Sequence, residues 1–158
     1  MKVIRASKDK VVMALSKREK SLLLKILELY PRVPSSYQQL SRTSVSKDLE
    51  DHQQLLDEAL LEQRTENKQR LARFLGNPLT FEQNSQGCCL HLCQTDMEWL
   101  LQILNDVRVG SWIALGSPEE KLPALNPETA PDFWAMEIAG FLEVSLLNAW
   151  GIEPYSGV

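Results

Sequence analysis

Apolar positions along this chain follow two rhythms, alternation by twos and recurrence every three or four residues, and each rhythm predicts a different element. Val3-Ile4-Arg5-Ala6 and Val11-Val12-Met13-Ala14-Leu15, separated by Ser7-Lys8-Asp9-Lys10, predict a β-hairpin over 2–15, with Asp9 suited to a left-handed turn residue. Ser16 and Glu19 then stand at capping-box spacing. Leu22, Leu23, Ile26, Leu27 and Tyr30 continue at helical spacing, so a helix is predicted over 17–30, ended by the restriction Pro31 places on the residue before it. Residues 31–46 are rich in Ser, Pro and Thr and read as a surface connection with a short helical turn at Tyr37–Leu40 and a helix cap at Ser46.

Lys47 to Leu75 contains neither Gly nor Pro and carries acids in its first half and bases in its second, an order that suits the helix dipole, so a long helix is predicted there. Its apolar stripe, Leu49, Leu56, Leu60, Leu71 and Leu75, is interrupted over Gln63–Arg70, which predicts a solvent-facing middle. Gly76-Asn77-Pro78 stops it. Leu79–Glu82 and Cys88–Cys93, joined by Asn84-Ser85-Gln86-Gly87, predict a second hairpin over 79–93 with Leu79, Phe81, Leu90 and Leu92 facing inward. Thr95 and Glu98 repeat the capping-box spacing ahead of a helix over 96–115, with a break at Gly110 left open and a stop at Gly116-Ser117-Pro118. After a loop over 116–130, Pro131 opens a last helix over 131–150. That helix has only Asp132, Glu137 and Glu143 as charges against a dense apolar set, so it is expected buried on most of its circumference, at the centre of the fold.

These elements predict one α+β domain over 1–158: four main helices packed with two β-hairpins that join into one small antiparallel sheet, each hairpin protecting an edge of the other. With 158 residues, 44% of them hydrophobic, the chain is long enough to bury a core without a metal or disulfide staple. Lys and Arg number 17 and Asp and Glu 21, and the net charge of −4 argues against bulk attraction to nucleic acid or anionic lipid. Three cysteines cannot all pair, and Met1–Lys10 has no apolar signal-peptide region, so a cytoplasmic protein with no membrane span is expected.

The chemistry-bearing patterns are sparse. Cys89, His91 and Cys93 alternate on one strand face and are zinc-ligand types, yet strand neighbours two apart lie about 6.6 Å from each other, too far for all three to close on one ion. No metal or cofactor is expected. The two histidines, His52 and His91, form no zincin or carboxylate-bridged pattern, and the nucleophile-elbow and phosphate-loop glycine motifs are missing. Ser7–Lys10 and Ser44–Lys47 repeat a Ser-x-x-Lys spacing that reads as turn and cap chemistry. Leu40–Leu49 superficially matches the turn of a helix-turn-helix, but Asp48, Glu50 and Asp51 stand where a recognition helix needs bases or amides. Arg108, in an otherwise apolar helix, needs a carboxylate partner such as Asp106, Glu137 or Glu143, either as a structural pair or as a recognition point for a partner's carboxylate. Asn105, Asp106, Arg108, Glu137 and Glu143 are therefore the candidate polar cluster.

Leu104-Asn105-Asp106-Val107-Arg108, the later Ala114-Leu115-Gly116 and the aromatic helix from Phe133-Trp134 to Leu147 resemble a bacterial family of small cytosolic proteins of unknown function, often encoded beside the Clp protease adaptor ClpS. The opening hairpin running into Leu15-Ser16 and Glu19, and the charged helix with Arg64, Lys68 and Leu71, extend the resemblance over most of the chain. The Cys-rich second hairpin has no counterpart in it. The resemblance implies no reaction; it implies a bacterial cytosolic protein linked to Clp-dependent proteolysis by gene neighbourhood, and for some relatives a transcription-regulator label. Together the residues and the resemblance point to a non-catalytic interaction or regulatory protein with an unidentified protein partner, homo-oligomerisation remaining open. A DNA-binding regulator, and a small enzyme or thiol- or metal-responsive protein, are the alternatives.

Overall fold

Alternation does what it predicts in the middle of the sheet. In a computed structural model, which describes residues 1–38 and 47–151, the strands β1 (Lys2–Ala6), β2 (Lys10–Ser16), β3 (Phe81–Asn84) and β4 (Gly87–Cys93) form one antiparallel sheet in the order β1-β2-β4-β3. The two hairpins meet along β2 and β4, paired from Lys10 opposite Cys93 to Ser16 opposite Gly87. That register puts Val11, Met13, Leu15, Cys88, Leu90 and Leu92 on one face, where all are buried, and Val12, Ala14, Cys89, His91 and Cys93 on the other, where all are half-buried. The β1 edge is exposed at every residue and carries a bulge between Val3 and Arg5, a kink that, with Lys2 and Arg5, discourages a further strand from pairing. Asp9 is not in the left-handed region; Ser7 closes the first turn instead, its hydroxyl accepting from the Lys10 amide at 3.2 Å. The second hairpin starts two residues later than expected, because Asn77 accepts from the Leu79 and Thr80 amides and holds Leu79 out in solvent, 78% exposed.

Helix α1 (Lys17–Leu27) opens with both halves of the expected capping box: the Glu19 amide donates to Ser16 Oγ at 3.2 Å and the Ser16 amide to Glu19 Oε2 at 2.8 Å. It stops short of Tyr30 because its last turn tightens, Leu29 and Tyr30 donating to the carbonyls three residues back, so the chain leaves the helix before Pro31. A short 3-10 turn occupies Ser35–Gln38; residues 39–46, and with them Ser44, Ser46 and the turn of the supposed helix-turn-helix, lie outside the described residues.

Helix α2 (Lys47–Gly76) is the long helix, but its middle is docked where the sequence pattern placed it in solvent. Arg64 donates to the Val33 carbonyl at 2.6 Å, and Asn67 bridges Tyr30 Oη and the Trp99 indole at 3.0 and 3.1 Å. Arg70 donates to Asp96 Oδ1 at 3.0 Å while its guanidinium lies 4.6 Å above the Trp99 ring. A polar seam attaches this helix, which is why a search for apolar positions missed the contact. Farther along, Leu71 and Phe74 are buried, whereas Leu55 and Leu61 in the first half are 63% and 68% exposed.

Helix α3 (Gln94–Ala114) follows β4 without a loop, so its N-cap is Cys93 and the expected Thr95–Glu98 capping box does not form. It runs unbroken through Gly110 to Ala114, and Gly116, just past the Leu115 cap, takes with its φ of +88° the left-handed turn expected there. Helix α4 (Ala130–Ala149), with Pro131 in its first turn, packs along α3 and also touches α1 and β1. The core is the inner sheet face covered by Leu23, Ile26 and Leu27 of α1, Leu100, Ile103, Leu104 and Val107 of α3, and Ala139, Leu142 and Leu146 of α4. Among the described residues no helix is long and apolar enough to cross a membrane.

Candidate functional site

The five polar candidates divide among three places. Asp106 faces the chain that follows α1: its Oδ1 accepts from the Arg32 amide at 2.6 Å and the Val33 amide at 3.3 Å. Arg32 lies across α3 at Gly110, where a β-carbon would come within 2.7 Å of the Arg32 backbone and Cβ, so only glycine permits this crossing. The Arg32 guanidinium then pairs with Asp132 in the first turn of α4, its Nε buried without a partner among the described residues. Arg32 thus ties α1, α3 and α4 together, and nothing in its local sequence marks it for that task.

Arg108 finds one of its three expected partners, Glu143 of α4, with Nε 2.8 Å from Oε2, while Nη2 donates to Asn105 Oδ1 at 3.0 Å. The Glu143 side chain is 14% exposed and that of Arg108 46%. Burial raises the Glu143 carboxyl above the usual carboxylate value, and the charge and hydrogen bond of Arg108 offset this only in part. The pair lines an open groove of about 700 Å³ between α3 and α4, whose walls include Leu101, Gly140, Val144 and Leu147. Glu137 lies outside this group, exposed on the far side of α4, six residues from Glu143 and so well round the helix.

On the outer sheet face, Cys89, His91 and Cys93 do share one side, and each is turned to a different neighbour. Asn84 Nδ2 donates to Cys89 Sγ at 3.6 Å, His91 Nε2 lies 3.0 Å from Glu82 Oε2, and Cys93 Sγ donates to Asp96 Oδ2 at 3.1 Å. Among the described residues no three His, Cys, Asp or Glu side chains converge as a metal cage. A shallow hollow of about 490 Å³ lies beside His91 and Cys93, floored by the strand ends and rimmed by Lys10 and Leu79.

The largest departure from expectation is α4. It buries only Ala135, Ala139, Leu142, Leu146 and Ala149, a single stripe at spacings of three and four, and is not the fold's central helix. Trp134 is 53% exposed, Phe141 57% and Val144 43%. Small alanines let α4 sit close against its neighbours, and that close seat turns the bulky residues outward. The expectation failed because apolar composition all round the helix was taken to mean burial all round it.

Neither the protein-family models, nor the curated proteins, nor the solved structures contain a match to this chain.

Proposed function

We propose that this protein is a non-catalytic interaction or regulatory protein that meets another polypeptide through the outer face of α4. The observation that carries the reading is a helix with almost no polar side, left more than half exposed at Trp134 and Phe141. Covering the exposed halves of those two rings takes about 200 Å² out of water, a gross gain on the order of 5 kcal/mol before the cost of association. The polar groups support the same reading: Arg108 is paired with Glu143 and donates to Asn105, and Asp106 is occupied by backbone amides. The resemblance of Leu104–Arg108 and the aromatic last helix to the family found beside the Clp adaptor favours a regulatory setting near Clp-dependent proteolysis in a bacterial cytoplasm.

A photo-reactive phenylalanine analogue at position 141 tests this in the native cytosol, with the same analogue at the exposed Glu98 as control. Discrete cross-linked polypeptides from position 141 and none from position 98 are the expected outcome. No cross-link at 141 above the control overturns the reading.

A further inference from the structure

The exposed residues of α4 from Trp134 onward are Trp134, Glu137, Phe141, Val144 and Asn148, at intervals of three, four, three and four, so one carboxylate stands inside an otherwise uncharged face. Glu137 sits between the two rings, about 4.5 Å along the helix axis from Trp134 and about 6 Å from Phe141. Among the described residues its carboxylate takes part in no ion pair. The surroundings have the same sign: in residues 119–151 Lys121 is the one base against six Asp and Glu. Arg32 and Arg108, from other elements, pair with Asp132 and Glu143, whereas Glu119, Glu120, Glu128 and Glu137 are exposed and enter no ion pair among the described residues.

We propose that this face is covered by an amphipathic helix of a different polypeptide, one that carries a Lys or Arg within its apolar side and sets that cation on Glu137 between Trp134 and Phe141. The inference rests on the reading of α4 as an interaction face and names the chemistry of the partner. Charge decides what can cover the face. A wholly apolar partner would strand the Glu137 carboxylate away from water without a counter-charge, a cost comparable to what covering the two rings returns. Anionic lipid and nucleic acid meet a surface of their own sign. The α4 of a second copy would bring another Glu137 and no base. A cation flanked by apolar side chains meets all of these terms, since it pairs with the carboxylate and lies within reach of the faces of both rings. The shape favours a helix. At Val144 the face runs into the groove of about 700 Å³ between α3 and α4, where Leu101 and Leu147 add an apolar wall, and a third helix seats in such a furrow. Trp134 to Val144 spans about 15 Å, close to three turns, so the base of the partner should have large apolar residues within about one turn on either side.

A display library of helix-forming peptides of about 18 residues, selected on the purified full chain, reads this chemistry directly. Selected peptides should carry Lys or Arg with large apolar residues within about four positions on both sides, bind with micromolar dissociation, and lose affinity about tenfold or more for Phe141→Ala. Glu137→Lys changes an exposed residue and should keep the melting temperature, bind the same peptides about tenfold or more weakly, and in its own selection bring Asp or Glu to the place of the base. Selected peptides without a base at that place, or a preference for Lys and Arg that Glu137→Lys leaves unchanged, overturn the proposal. Self-association of the purified chain in sedimentation velocity that Phe141→Ala abolishes also overturns it and gives the face to a second copy. A library that yields no binder, while position 141 still cross-links to a polypeptide in the cytosol, overturns the basic helix and leaves the interaction face standing. No binder and no cross-link overturn both.

Discussion

Gly110→Ala separates helix chemistry from tertiary packing, because the two push stability in opposite directions. In an isolated helix the change would stabilise by about 1 kcal/mol. In this fold the new β-carbon would lie 2.5 Å from the Arg32 carbonyl carbon and 2.7 Å from its Cβ and oxygen, against ordinary contact starting at 3.4 Å. The Arg32 segment would have to lift by about 1 Å, an overpacking that costs about 1–3 kcal/mol. Lifting it also pulls the Arg32 amide off Asp106, now 2.6 Å away, a charge-assisted bond worth about 1.5–3 kcal/mol. Set against the helix gain, the net loss is about 1.5–5 kcal/mol, which for a chain of this size lowers the melting temperature by about 3–20 °C. Gly140→Ala is the matched control: its β-carbon would meet only Arg108 Cδ at 3.6 Å, so the helix preference should show as an unchanged or slightly raised melting temperature. Thermal unfolding followed by circular dichroism reads both. A Gly110→Ala protein that melts at or above the wild type would refute the Arg32 crossing.

Ser16→Ala should remove the side-chain acceptor of the Glu19 amide while the Ser16 amide keeps its bond to Glu19, and should lower stability by about 1 kcal/mol in denaturant unfolding, with no change in slope. Arg70→Ala should loosen the seam holding the middle of α2, and its amides around Arg70 should exchange hydrogen about tenfold faster by mass spectrometry; unchanged protection would mean that Leu71 and Phe74 suffice to hold it. Glu143 makes the stability of an Arg108→Ala protein depend on pH. Because its carboxyl is raised in the folded chain, Glu143 favours folding below its unfolded value near 4.5 and loses that contribution as pH rises through the folded value. Removing Arg108 raises the folded value further, so Arg108→Ala should cost about 1 kcal/mol at neutral pH, a figure kept small by the exposure of the arginine. Melting curves of the two proteins should converge as pH falls below 4.5, and a constant gap would show that Arg108 acts by packing alone.

What the sequence made legible was local. Ser16 and Glu19 announced a helix start because both partners of the cap lie within one turn, and the two hairpins were readable from alternation bracketed by turn residues. The joining of the hairpins followed from the need to cover strand edges. What escaped depended on residues far apart in the chain. Gly110 looked like a weak point in a helix until Arg32 was found lying across it, and Asn67 looked like solvent-facing filler until Tyr30 and Trp99 were found on either side of it. Thr95 failed as a cap because β4 enters α3 directly, leaving no room for the turn the motif assumes. Of the candidate polar cluster, the Arg108–Glu143 pair was within reach of residue type alone, while the separation of Asp106 and Glu137 from it needed the packing angle of α3 on α4. For α4 the apolar pattern was read correctly and its burial was not, since composition does not say how much of an apolar helix the rest of the chain covers.

Hydroxyl-radical footprinting tests the central claim, that the outer face of α4 is covered by a polypeptide, on the side chains themselves. Oxidation of Trp134 and Phe141 would be compared between the protein in its native cytosol and the dilute purified monomer, with Tyr37, 47% exposed and on another surface, as the internal reference. Marked protection of both rings in the cytosol, with Tyr37 unchanged, is the expected result. Equal oxidation of Trp134 and Phe141 in the two settings would contradict it.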